Sequence, residues 1–190
     1  MEVHDLRTLR PLSIIVMGVS GSGKSTLAQA LADEVGCPFL EGDEFHSPAS
    51  VQKMHAGTAL TDDDRWPWLE RLGRAIGTAV AEHGIAVASC SALKRIYRDR
   101  LRETIAIPTC FVLLEASRDE LTRRMTHRAG HYMPVTLLDS QLATLEHPQS
   151  DELAITIDAT LPVDAACKQI AAALTAHGSK RTPAPARPPR

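Results

Sequence analysis

At 190 residues the chain is long enough to bury one real core and too short for two ordinary domains joined by a linker. A composition of 44% hydrophobic and 23% charged residues with a formal net charge of -2 lacks the basic footprint expected of a nucleic-acid binder. The opening "MEVHDLRTLRPL" has no apolar leader core, and no window approaches the roughly 18 apolar residues of a membrane span, so a cytoplasmic protein without a membrane partner is expected.

The first element is "SIIVMGV" (Ser13 to Val19), short, β-rich and apolar on both faces, as a strand buried in a parallel sheet should be. Comparable runs follow at "PFLEGD" (Pro38 to Asp43), "IAVASCSA" (Ile85 to Ala92), "PTCFVLLEA" (Pro108 to Ala116) and "LAITIDAT" (Leu153 to Thr160). Between them lie helical periods, such as Leu69, Leu72, Ile76 and Val80, or Leu137, Leu138, Leu142 and Leu145. Alternating strand and helix predicts a three-layer α/β fold around a parallel sheet of about five strands, with ligands at the carboxyl ends of the strands. The predicted boundaries are one domain over residues 1–178 and a disordered Pro/Arg-rich tail over 179–190. Cys37, Cys90, Cys110 and Cys167 are widely scattered, without metal or redox spacing, and read as small buried hydrophobes.

Directly after the first strand, "GVSGSGKST" fits GxxxxGK[ST] and runs straight into a helical segment. In that context the loop is a phosphate nest, in which backbone N–H groups and a helix N-terminus converge on anionic oxygens. The predicted nucleotide-binding residues are Gly18, Val19, Ser20, Gly21, Ser22, Gly23, Lys24, Ser25 and Thr26. Lys24 is expected to reach the β- and γ-phosphates of a nucleoside triphosphate, and the Ser25 hydroxyl to ligate Mg²⁺. The chain contains no asparagine, so the guanine-reading NKxD motif of a GTPase is missing, and a compact small-molecule kinase is favoured. At the end of the second strand, "FLEGDEFH" brings Glu41 and Asp43 to one side by strand alternation. Asp43 is the candidate to accept a proton from an attacking hydroxyl, or to hold the metal through water. His46 stands beside it as a candidate substrate contact.

The motifs "MGVSGSGKST", "GDEFH", "KMHAGTALTDDDRWPWL", "CSALKRIYRDRLR" and "GHYMPVTLLDSQLATLEHP", covering most of Met17 to Pro148, together resemble the gluconate kinase (gluconokinase) family. The resemblance implies ATP-dependent phosphorylation of D-gluconate at its 6-hydroxyl, in a homodimer whose fold is similar to nucleoside monophosphate and shikimate kinases. In "TDDDRWPW", Pro67 predicts a helix starting near Asp63 or Asp64, with one aspartate as its cap. Trp66 and Trp68 read as packing residues, and Arg65 as the fork that grips the carboxylate of gluconate.

Lys53, Lys94 and Arg98 supply further cations after strand ends, and are candidate substrate contacts. In "RRMTHRAGHYMP", Arg124 and Arg128 share a helical face at i,i+4 spacing, as an arginine clamp over ATP would require, and a lid over residues 124–134 is expected. Lys24, Asp43 and Arg128 are the predicted catalytic residues, and His131 is read as a lid residue meeting substrate. The rival readings are another small-molecule kinase, acting on shikimate, adenylylsulfate or a nucleoside monophosphate, and a regulator that binds nucleotide without transferring phosphate.

Overall fold

Six consecutive buried residues form strand β1, Leu12–Met17. A computed structural model describes the chain over residues 3–127 and 135–179. β1 lies at the centre of a five-stranded sheet ordered β2-β3-β1-β4-β5, with β2 at Phe39–Glu41, β3 at Ile85–Ser89, β4 at Thr109–Glu115 and β5 at Ala154–Asp158. Every pairing is parallel, and the register sets Ile15 of β1 beside Ala88 and Phe111.

Alternation along β1 divides the core. Ile14 and Val16 pack with helices α1 (Lys24–Val35) and α7 (Val163–Ser179), whereas Ile15 and Met17 pack with α3 (Asp62–His83) and α4 (Arg95–Ile105). Burying both faces explains why the strand carries no polar stripe, and each large side chain withdrawn from water is worth about 1.5–3 kcal/mol. Three shorter helices complete the set, α2 at Pro48–His55, α5 at Arg118–His127 and α6 at Val135–Thr144. The three-layer α/β expectation holds, with all five strands found.

The strands end earlier than expected at the edge where they feed loops. β2 stops at Glu41, and Gly42–Phe45 winds into a 3-10 turn. Only glycine fits at residue 42 of this turn, since a Cβ there would sit 2.1 Å from the carbonyl oxygen of Ser89. Asp43 therefore does not share a strand face with Glu41, which corrects the alternation argument. β3 similarly releases its chain at Ser89, and Ser89 to Ser91 become a staple described below.

The acidic run before Trp66 is a helix start with a cap different from the one expected. Thr61 is the N-cap and α3 begins at Asp62. Asp64 closes a capping box, accepting from the Thr61 N–H while the Thr61 hydroxyl accepts from the Asp64 N–H. Pro67 lies inside the helix, within its first two turns. Trp68 is buried, and Trp66 packs edge-on to Tyr97, as packing residues would. Burial raises the thiols of Cys90 and Cys110 to about 12. Of the tail expected over residues 179–190, Ser179 ends α7 and residues 180–190 lie outside the described residues.

Candidate active site

The phosphate loop between β1 and α1 holds its shape through backbone conformations that side chains resist: Gly18, Gly21 and Gly23 have φ of 138°, 80° and 98°. Gly23 is also the cap from which α1 starts, so the unpaired N–H groups of the first helical turn open into the loop. Within the loop Lys24 Nζ donates to the Val19 carbonyl at 3.0 Å, and the Ser22 N–H donates to the same oxygen at 3.3 Å. The Ser22 hydroxyl is buried without a hydrogen-bond partner among the described residues. Ser25 and Thr26 are exposed at the head of α1. From outside, the Ser20 N–H donates to Gln141 Oε1 of α6 at 2.7 Å.

The chain after β3 ties this loop to the Asp43 turn. The Gly18 N–H donates to the Ser91 carbonyl at 3.2 Å, and the Gly42 N–H donates to the Ser89 hydroxyl at 3.3 Å. The Ser89 hydroxyl in turn donates to Glu41, which is thereby a structural acceptor. Cys90, between these anchors, lies within electrostatic reach of Asp43, Lys24 and Arg65. Three predicted site residues from three separate motifs thus converge on one strand end.

Asp43 is exposed on its turn, and the turn is braced from below. Trp68 Nε1 donates to the Gly42 carbonyl at 2.7 Å, and Arg71 grips the Phe45 carbonyl through Nε and Nη2. His46 stacks on Trp68 with ring centroids 4.0 Å apart, and its Nε2 is 4.0 Å from Asp43 Oδ1. Burial pushes the His46 imidazole down to about 4, against the opposing pull of Asp43, so the ring is neutral near pH 7. Its Nδ1 is buried without a hydrogen-bond partner among the described residues.

The predicted cations separate sharply. Lys53 is paired with Asp64 at 2.7 Å, and Lys94 with Asp62 at 2.9 Å. Arg98 corrects the expectation that it faces substrate: it is fully buried and clamped by both carboxylate oxygens of Glu152, while its Nη1 bonds the carbonyls of Ala92, Leu93 and Glu146. Burial pushes Glu152 up, but Arg98, the Gln149 N–H and Arg102 outweigh it and hold the carboxyl at about 2. Such a pair organises the loop before β5, and full burial with every guanidinium nitrogen engaged keeps it from a ligand. Arg65 is different. Its Nε is buried with no hydrogen-bond partner among the described residues, and its guanidinium lies over the Tyr97 ring at 5.4 Å.

On the opposite side, Arg124 of α5 donates to the Ser22 carbonyl at 3.1 Å and to the Ala159 carbonyl at 2.8 Å, stapling the phosphate loop to the loop after β5. Between them opens a cleft of about 280 Å³ lined by Gly23, Thr26, Arg124, Thr160, Leu161 and Val163. Leu161 and Val163 are apolar side chains exposed there, as a flat base would require. This cleft and the roles of Gln141 and Ser89 were not assigned from the sequence, since each depends on contacts between residues far apart in the chain. Arg128 and His131, and so the lid beyond α5, lie outside the described residues.

For a divalent cation the fit is of a particular kind. No group of three or more His, Cys, Asp or Glu side chains able to hold a metal occurs among the described residues. The exposed Ser25 hydroxyl and the Asp43 carboxylate supply hard oxygen donors next to the phosphate nest, which suits Mg²⁺ completed by phosphate oxygens and water.

Residues 14–148 match the family described as AAA domain. A gluconokinase of Gluconobacter oxydans is 48% identical over 159 residues, spanning 83% of this chain and 88% of that protein. The thermosensitive gluconokinase of Escherichia coli is 42% identical, over 74% of each. A crystal structure of a gluconokinase from Sinorhizobium meliloti superposes with a TM-score of 0.80 at 45% identity, covering 90% of this chain and 95% of that one. An APS kinase from Mycobacterium tuberculosis, 18% identical with a TM-score of 0.59, shares the fold. With a phosphate loop and a carboxylate turn tied to one strand end, and relatives at this identity over most of its length, the chain belongs to the gluconokinase family of P-loop kinases.

Proposed function

We propose that the chain transfers the γ-phosphoryl group of ATP to the 6-hydroxyl of D-gluconate, giving 6-phospho-D-gluconate and ADP. Beyond family membership, the observation that carries this reading is Arg65, whose buried Nε has no hydrogen-bond partner among the described residues, while Lys53, Lys94 and Arg98 are each neutralised by a carboxylate. An unsatisfied buried donor is costly, so the site is built for an anion that arrives with the substrate. Gluconate brings one carboxylate and a terminal hydroxyl at the other end of a short chain.

In the reaction the 6-oxygen attacks the γ-phosphorus in line, its bond to phosphorus forming as the bond to the β–γ bridging oxygen breaks and ADP leaves. Asp43 orients the hydroxyl and accepts its proton, while Lys24 absorbs charge on the phosphoryl oxygens. The His46 Nδ1 offers a neutral partner to a chain hydroxyl. Ser25, and Asp43 through water, would hold Mg²⁺, which when bound neutralises the triphosphate and fixes its conformation. Arg124 frames the base cleft, and the contributions of Arg128 and His131 rest on their motif.

We further read the enzyme as a cytoplasmic homodimer acting on free small molecules, consistent with the net charge of -2 and with no described helix being long and apolar enough to cross a membrane. Purified protein with ATP, Mg²⁺ and gluconate should form 6-phosphogluconate. Asp43→Asn should keep nucleotide affinity within about twofold while kcat falls by about 10²- to 10⁴-fold. Phosphorylation of shikimate or adenylylsulfate in preference to gluconate would overturn the assignment, and folded wild type that binds ATP without any turnover would favour the regulator reading.

A further inference from the structure

The peptide unit between Val19 and Ser20 is held at both ends by groups of opposite kind. Its carbonyl faces into the phosphate loop, accepting from Lys24 Nζ at 3.0 Å and from the Ser22 N–H at 3.3 Å. Its N–H faces away, donating to Gln141 Oε1 at 2.7 Å. In a planar trans peptide the two groups point in opposite directions, so fixing one fixes the other. We propose that Gln141 is a positioning residue for Lys24, holding the Val19–Ser20 peptide plane so that its carbonyl docks the lysine ammonium beside the phosphates.

Turning this plane over would change ψ of Val19 and φ of Ser20, and the contacts that resist it sit at its two ends, the Lys24 and Ser22 donors on the carbonyl and Gln141 on the N–H. The Val19 side chain is anchored against Leu93, Leu121 and Leu138, but an anchored side chain fixes the Cα position and leaves the following peptide plane free to turn. Gln141 itself stands on firm support. Leu138 of α6 is fully buried, Asp139 is gripped by Arg118 through two bonds of 2.7 and 3.1 Å, and just past α6 the Glu146 N–H donates to the Leu93 carbonyl at 2.9 Å. If the plane turned over, the Val19 carbonyl would leave Lys24 and the Ser20 N–H would enter the loop. With Gln141 in place, the Ser20 N–H is withdrawn from the nest, which is left to the amides from Gly21 onward.

The inference rests on the reading of the chain as an ATP-dependent kinase and deepens it at the lysine. The test compares wild type with Gln141→Leu, which removes the acceptor, and Gln141→Glu, which keeps an oxygen at the same place. The readouts are MgATP affinity, measured with a fluorescent ATP analogue, steady-state kinetics with gluconate, and thermal midpoint. For Gln141→Leu, kcat/KM for ATP should fall about 30-fold with analogue affinity reduced in parallel, the gluconate KM staying within about twofold. Its midpoint should stay within about 3 °C. Gln141→Glu should recover to within about fivefold of wild type. A Leu variant indistinguishable from wild type on ATP overturns the proposal. So does a Glu variant no better than Leu, or a parallel loss of ATP and gluconate constants with a collapsed midpoint. If the Leu variant does not fold, slow exchange of the Ser20 amide proton in nitrogen-labelled wild type supports the proposal, and fast exchange overturns it. A wild type that binds the analogue but leaves gluconate untouched defeats the proposed reaction, and the affinity arm still decides the role of Gln141.

Discussion

The two sides of the site are built from different materials. The nucleotide side is made of main chain: glycine-enabled turns, N–H groups at the head of α1, and the carbonyls of Ser22 and Ala159 joined by Arg124. The acid side is made of charged side chains, and most are already neutralised, Asp62 with Lys94 and Tyr97, Asp64 with Lys53 and Thr61. A main-chain nest binds any phosphate that fits, whereas selectivity between organic acids depends on which cation is left without a counter-ion. Arg65 and Arg98 mark the two extremes on that side. Both were expected to contact substrate, yet Arg65 has a buried Nε with no hydrogen-bond partner among the described residues, while Arg98 is engaged by Glu152 and three carbonyls.

That contrast breaks most visibly at Arg98. Arg98→Leu leaves the buried Glu152 with Arg102 as its remaining cation and strands the carbonyls of Ala92, Leu93 and Glu146, and should cost about 3–5 kcal/mol of stability. A fall in thermal midpoint on the order of 10 °C should result, with no selective change in the gluconate KM of the protein that remains folded. An Arg98 variant of normal stability with a raised gluconate KM would return this residue to the substrate site.

Arg65→Leu should behave in the opposite way. The gluconate KM should rise about 30- to 100-fold, equivalent to about 2–3 kcal/mol, with the ATP KM unchanged and the midpoint within about 3 °C of wild type. Equal losses with gluconate and with an uncharged polyol of the same length would show that Arg65 does not read the carboxylate.

The smallest effect concerns His46 and pH. Its folded-state value, held near 4 by burial, lies below the ordinary value of 6.5, so the unfolded chain binds the extra proton first as pH falls. Stability should therefore decline as pH drops from about 6.5 toward 4, by on the order of 1 kcal/mol between pH 7 and 5 once partial solvent access is allowed for. His46→Asn should flatten that window in thermal midpoints. The loss at lower pH should remain, because Glu152 and Asp64, both held near 2, release their stabilisation only as pH falls below the ordinary carboxylate range.

Much of the architecture was readable before any coordinates. Five apolar runs separated by helical periods are local patterns, and they predicted the five parallel strands, because strand and helix periodicity are properties of neighbouring residues. The glycines and lysine of the phosphate loop were readable for the same reason, a contiguous stretch that builds its own geometry. The ends of β2 and β3 were not, since the turn at Gly42 exists to let the chain pass the Ser89 carbonyl, 47 residues away in sequence. The cap of α3 is Thr61 and not an aspartate, because the Asp64 carboxylate three residues on turns back to the Thr61 N–H and closes a capping box.

The amino-acid order by itself thus determined the sheet, the phosphate nest and the inventory of carboxylates and cations. Tertiary structure alone decided which of those charges are available to a ligand. Lys53 meets its aspartate 11 residues on, Lys94 finds one 32 residues back, and Arg98 is matched by a glutamate 54 residues on. A charge is cancelled by whatever the fold brings within about 4 Å of it, and that distance in space has no counterpart in the spacing of residues along the chain.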